Sequence, residues 1–188
     1  MTRILLGLAV AAVLSACGGP GNMSGTVGGI QLNVKDSAFL IVKNQQGESV
    51  GMFLAMVDKP DICATLKANR NPKELTGVLF SMVRYTDQGT TLAPDVGDYT
   101  VISATPPRGG NYAGAFFTHT DTNCTSTISN TAAQGSSGLV KLTSMKAEAN
   151  GYASGTFDVT FGASDKVTGS FNAKFCELTS LPVNPNCE

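Results

Sequence analysis

The chain has no tryptophan and a single histidine, His119, and only 14% of its 188 residues are charged. These scarcities exclude a good deal. One imidazole cannot build a multi-histidine metal site, and no two cysteines stand in a C-x-x-C spacing, so no metal centre is expected. Phosphate loops, dinucleotide fingerprints and EF-hand calcium spacings are all missing, and no cofactor is expected. A serine-hydrolase G-x-S-x-G elbow is missing too. Basic residues never cluster, and 13 of them stand against 14 acids. Binding to nucleic acid, or to anionic lipid by charge, is therefore not expected. With 21 glycines and few charges, long helices are not expected either.

What is present begins at the front. Arg3 and the amino terminus form a short positive region, and Ile4–Leu14 (ILLGLAVAAVL) follows as an apolar run. Such a run is too short for a bilayer-spanning helix and suits a signal-peptide core. The next residues, Leu14-Ser15-Ala16-Cys17, resemble the lipobox of bacterial lipoproteins. Small residues before the cut fit a narrow protease site, and the cysteine supplies a thiol for a thioether-linked diacylglycerol. The resemblance implies cleavage between Ala16 and Cys17, lipidation of Cys17 and acylation of the new amine, with palmitate among the chains. Gly18, rather than Asp, follows the cysteine. By the same resemblance this points to the outer membrane of a Gram-negative cell envelope. Cleavage removes Arg3 and no acid, leaving 12 basic against 14 acidic residues, a formal charge of −2.

The segment Gly18–Gly29 holds six glycines in twelve residues and reads as a flexible tether. The organisation expected is thus a signal peptide over 1–16, a lipidated cysteine and tether over 17–29, and one β domain over 30–188.

Setting Cys17 aside leaves Cys63, Cys124, Cys176 and Cys187, an even set in a compartment that permits disulfides. Four cysteines allow three pairings. The favoured one joins Cys176 to Cys187, stapling a Pro-containing tail, and Cys63 to Cys124.

The body shows period two rather than a helical period. Ile30, Leu32 and Val34 alternate with polar residues. Apolar runs at 38–42, 50–57, 75–85, 99–104 and 112–119 are separated by turn signals such as Asn44–Ser49. Many short strands indicate an antiparallel β-sandwich or barrel. One short helix is expected near 60–69, with Asp58 as cap, Pro60 early, and Asn71-Pro72 as a stop.

The last third carries a phrase stated twice: Ser154-Gly-Thr-Phe-Asp-Val-Thr-Phe161 and Thr168-Gly-Ser-Phe-Asn-Ala-Lys-Phe175. Asn150-Gly151 predicts a two-residue hairpin. Partner numbers then sum to 301, which places Leu142 opposite Val159. Across the turn at Gly162–Lys166, a sum of 328 places Phe157 opposite Phe171. The result is a meander of strands over 139–149, 152–161 and 167–176. One face carries Val140, Leu142, Phe157, Val159, Phe161, Val167, Phe171, Ala173 and Phe175. Gly155 and Gly169 mark a bulge, a bend or a close approach of backbone. The strand Val167–Cys176 is also similar to the closing strand of uncharacterised, Gly-rich, β-rich predicted lipoproteins, a likeness that implies no activity.

Candidate chemistry is thin. His119-Thr120-Asp121 holds the only imidazole base, and Gln134–Gly138 (QGSSG) is a Ser/Gly loop. Asp58 with Asp61, and Asp95 with Asp98, form possible acid or calcium pairs that turn and cap roles already account for. In Phe116-Phe117 one ring must leave a single-sided core, which hints at an apolar binding surface. The function expected is that of a lipid-anchored envelope protein, bound to the membrane through its N-terminal lipid. It would engage an unknown envelope protein or ligand and would not be an enzyme. The alternatives are a lipocalin-like carrier of a small apolar ligand, and a hydrolase using His119.

Overall fold

A computed structural model describes residues 19–178 and 186–188. The expected signal peptide over 1–16, with Ala16, and the expected lipidation site Cys17 lie outside the described residues. The chain is mostly β. Its strands are β1 (Gly21–Ser24), β2 (Asp36–Lys43), β3 (Ser49–Val57), β4 (Arg70–Asn71), β5 (Thr76–Tyr85), β6 (Thr91–Leu92), β7 (Gly97–Ile102), β8 (Gly110–His119), β9 (Gly135–Met145), β10 (Tyr152–Phe161), β11 (Asp165–Phe175) and β12 (Asn186–Cys187). Two short helices, α1 (Ile62–Lys67) and α2 (Asn130–Ala133), complete it.

Eight strands close a barrel in the order β11-β10-β9-β7-β8-β5-β3-β2, with β2 returning to β11. The pairing is antiparallel except at two seams, β2–β11 and β7–β8, which are parallel. An entirely antiparallel sheet was the expectation. Turn signals report only on neighbours in sequence, whereas the closing seam joins Ala38 to Lys174 from opposite ends of the chain.

Inward residues follow the period of two. Phe39, Leu54, Met56, Phe80, Tyr99, Phe117, Val140, Val159 and Phe161 are buried and fill the lumen. Outward positions of β9 to β11 carry Lys141, Asp158 and Lys166, with an ion pair from Lys166 to Asp158 at 3.1 Å. On these three strands, charge outside and apolar packing inside is the inverse of the pattern of a barrel that spans a bilayer.

The meander forms with the expected face and a different register. Between β10 and β11 the partner numbers sum to 326, not 328, so Phe157 lies opposite Gly169 and Gly155 opposite Phe171. Between β9 and β10 the sum is 297 over most of the ladder, with Phe157 opposite Val140, after a bulge at Ser154/Gly155. The turn is also longer than two residues. Lys146 N–H donates to Tyr152 O, and Gly151 N–H closes an inner turn on Glu148 O. Both slips, of four and of two, are even, and an even slip leaves every side chain on its own face.

Four further expectations are corrected. Residues 31–35 are not a strand, although Leu32 is buried in the core. The stretch expected as a tether is packed from Gly21 on. The strand β1 pairs with β11 from Gly21–Phe171 to Ser24–Thr168, and Met23 and Val27 are buried. The physical reason is the edge of β11. The parallel seam with β2 covers only its last two residues, and β1 covers Thr168–Phe171 of the edge that remains. Asp58 does not cap α1, because its Oδ1 accepts Thr76 N–H. The helix starts at Ile62, whose N–H is held by Asp36 Oδ2 of β2 at 2.9 Å.

Finally, all four cysteines pair, as Cys63–Cys176 and Cys124–Cys187. The expected pairing fails because nearness in sequence is not nearness in the barrel. Helix α1 lies over the end of β11, which brings Cys63 within 5.5 Å (Cα–Cα) of Cys176. The end of the chain runs instead to β4 as β12, where Cys124 Sγ lies 3.4 Å from Asn71 O.

Candidate functional site: an apolar groove outside the barrel

Strands that alternate strictly would leave a polar outer wall. On β2, β3 and β5 they do not alternate. Their outward residues Ala38, Leu40, Phe53, Ala55, Val57 and Leu79 are apolar, and Ala38, Leu40 and Val57 are buried although they point away from the lumen. A continuous apolar run on a strand is the mark of a sheet covered on both faces. Here the cover is α1, which lays Ile62 and Leu66 on this wall. Together with Leu75 and the Cys63–Cys176 disulfide they make a second, smaller core.

The helix is too short to cover the wall. It leaves a groove of about 350 Å³ floored by β2, β3 and β5 and bordered by Ile62 and Leu66. At Gly77 the missing side chain keeps the floor open: a Cβ there would meet Val57 Cγ1 at 3.0 Å. Leu79 is 38% exposed and Phe116 41%, and the apolar face continues past Phe53, Ser81 and Gly114 toward Ile102. Two carboxylates hold the rim in place, Asp36 on Ile62 N–H and Asp58 on Thr76 N–H. No ionisable side chain lines the groove. Its chemistry is the removal of apolar surface from water.

The other candidate residues lie apart from one another. His119 ends β8, and its Nδ1 is 3.1 Å from Thr76 Oγ1. Asp121 accepts the backbone N–H of Asn123 (2.8 Å) and of Thr125 (2.9 Å), so its carboxylate is committed to the turn that positions Cys124. The backbone hydrogen bonds of Thr125 and Asn123 hold that carboxyl below the usual range. Asp61 takes a left-handed backbone (φ 55) before α1. Asp95 accepts Val96 N–H and lies 3.6 Å from Arg84, while Asp98 lies 3.9 Å from Lys141. Among the described residues, no three His, Cys, Asp or Glu side chains converge on a common point. Gly135–Gly138 belongs to β9. Tyr99 is buried with its hydroxyl donating to Asp95 O (2.6 Å) and accepting Asp95 N–H (3.1 Å). Burial raises its pKa.

Phe116-Phe117 divides as alternation requires, with Phe117 fully buried in the lumen and Phe116 on the outer face. The rest of the groove was missed. Its signal was the absence of alternation in 38–42 and 50–57, visible as unbroken apolar runs. The cysteines of the second disulfide lie elsewhere, at the β4–β12 end. No family model, curated protein or solved structure matches this chain.

Proposed function

We infer that the chain is a lipid-anchored protein of the cell envelope, in the outer membrane, whose work is binding rather than catalysis, and that its binding element is the outer groove. The observation that carries this is an open, largely apolar and uncharged groove on a barrel whose lumen is full. The lipobox at Leu14–Cys17 supports the anchoring half. Two disulfides suit a compartment outside the cytoplasm.

A carrier barrel ordinarily holds its ligand inside. Phe39, Phe80, Phe117, Phe157 and Phe161 occupy that space here. The carrier reading therefore moves to the groove, where an apolar chain or small molecule would lie against Phe53 and Leu79. The hydrolase reading has less support, since His119 is paired with a threonine at a strand end.

The anchoring half is tested by labelling growing cells with palmitate and weighing the mature N-terminus. The expected result is a diacylglyceryl, N-acylated Cys17, with labelling lost in Cys17→Ser. An unmodified Cys17 defeats it. For the binding half, a fluorescent fatty acid should bind the oxidised protein and be displaced by Leu79→Asp.

A further inference from the structure

We propose that the groove beside α1 takes an acyl chain of a bilayer phospholipid, so that the β2–β3–β5 wall lies on the membrane that carries the anchor. This rests on the anchored reading above and adds an orientation and a ligand class to it.

The first observation is where the chain enters the barrel. Pro20 O accepts Ser37 Oγ–H at 2.6 Å and Asn172 N–H at 3.2 Å, which clamps Pro20 between β2 and β11. Ser37 sits between Asp36, which holds the first N–H of α1, and Ala38, which floors the groove. Entry point, helix and groove thus share the first three residues of β2.

The second observation is a length. Four peptide steps separate Cys17 from Gly21, the first residue of β1. Fully extended they reach about 14 Å. A ten-residue strand such as β5 runs about 33 Å. The tether is under half the length of the barrel wall, so the corner that holds Pro20 stays against the bilayer.

The third is the contrast between walls. In the strand order, β9 stands across the barrel from β3. Its neighbourhood is charged, with Lys141 near Asp98 and Lys166 near Asp158. The wall on the anchor's side exposes Leu79, Phe116 and Phe53. An apolar wall held within about 14 Å of acyl chains meets them at high effective concentration. The lining offers no charge, and Thr118 is its one hydrogen-bonding side chain, too few polar groups to read a peptide or polar ligand. An acyl chain needs none.

The test uses the mature chain from residue 17 with Cys17→Ser, oxidised and free of lipid. It is mixed with phosphatidylcholine vesicles containing a phospholipid whose acyl chain bears a diazirine. Photolabel is expected on peptides containing Phe53, Leu66 and Leu79. Flotation with vesicles should fall about tenfold in Leu79→Asp, because a charge replaces apolar contact. It should be unchanged in Leu139→Asp, on β9 and 39% exposed. Phe116→Ser provides a second variant on the same face, and intact disulfides with an unchanged urea midpoint establish folding. Label spread evenly or centred on β9–β10, equal flotation of the two aspartate variants, or no flotation at all each overturns the proposal. So does self-association that Leu79→Asp abolishes in the absence of lipid label, which would make the occupant a second copy. Failure of the anchoring reading is scored separately, by the mass of the mature N-terminus from cells.

Discussion

The doubled phrase makes a quantitative prediction. In the observed register each glycine faces the other strand's phenylalanine, Gly155 opposite Phe171 and Gly169 opposite Phe157. A Cβ on Gly169 would stand 2.5 Å from Phe157 Cζ and 2.8 Å from its Cε1, and would also meet Asn22 O of β1. The ring occupies the place of the missing side chain. Replacing Gly169 by Ala therefore overpacks the core, at about 1–3 kcal/mol. Because the Cβ meets both a ring and a backbone carbonyl, the cost lies in the upper half of that range, about 2–3 kcal/mol. Alanine's lower backbone entropy returns about 0.5–1 kcal/mol, leaving a net loss of about 1–2.5 kcal/mol. With a urea m-value of about 2 kcal/mol/M, the midpoint falls by about 0.5–1.2 M. Gly114→Ala is the internal control. It lies in β8 of the same barrel, but its nearest neighbour would be Ser81 Cβ at 3.9 Å, so it should gain about 0.5 kcal/mol instead. Shortening the ring should rescue the first variant. Gly169→Ala with Phe157→Leu should be more stable than the sum of the single changes by about 1 kcal/mol. Gly155→Ala with Phe171→Leu should show the same partial recovery, because at both sites the Cβ also meets a backbone carbonyl, Lys141 O or Asn22 O, that a smaller side chain leaves in place. Equal effects of Gly169→Ala and Gly114→Ala, or strict additivity in the cycle, would refute the pairing of ring and glycine.

Other outcomes follow from the same structure. A non-reducing peptide map should return Cys63–Cys176 and Cys124–Cys187; a peptide joining Cys176 to Cys187 would overturn that pairing. Changing Cys63 and Cys176 to Ala should cost about 4–5 kcal/mol in the chain-entropy model, since the bond closes a loop of 113 residues. Tyr99→Phe removes both hydrogen bonds to Asp95 and should cost about 1–2 kcal/mol, read as a shifted urea midpoint at constant m. Because burial raises the Tyr99 pKa, the wild type should keep that contribution below the ordinary tyrosine range and lose it as pH climbs to the folded value; the phenylalanine variant should lack this alkaline slope. The opposite sign holds for Asp121. Its lowered pKa favours the native turn above the ordinary carboxylate range, so exchange protection of the Asn123 and Thr125 amides should fade as pH falls through its folded pKa, and be weak at all pH in Asp121→Asn.

Which parts of this molecule were legible in sequence follows from the range over which each signal acts. Period-two alternation assigned Phe157, Val159, Phe161, Val167 and Phe171 to the lumen, because a side chain's face depends only on parity along its own strand. Parity also explains why two misplaced registers did no harm to the core. The Asn150-Gly151 signal fixed that a turn exists but not its length, since Lys146 and Glu148 contribute to it from outside the dipeptide. Gly155 and Gly169 could not be explained from either strand alone, because each glycine's reason is a ring on the other strand.

The cysteine pairing and the groove share one cause. Helix α1 is six residues long, has no side-chain cap of its own, and is held by Asp36 from a strand 26 residues earlier. Where it docks is a property of the closed barrel, and both Cys63 and the groove go where it goes. Yet a partial signal was present. Unbroken apolar runs at 38–42 and 50–57, beside strictly alternating strands at 156–175, state that one wall of the barrel is covered and the other is wet. That wall carries Leu79 and Phe53 in partial contact with water beside a helix that covers only part of it. An outer wall built as core, and then left half open at the end where the chain leads back toward Cys17, is intelligible as a surface that completes itself against something apolar.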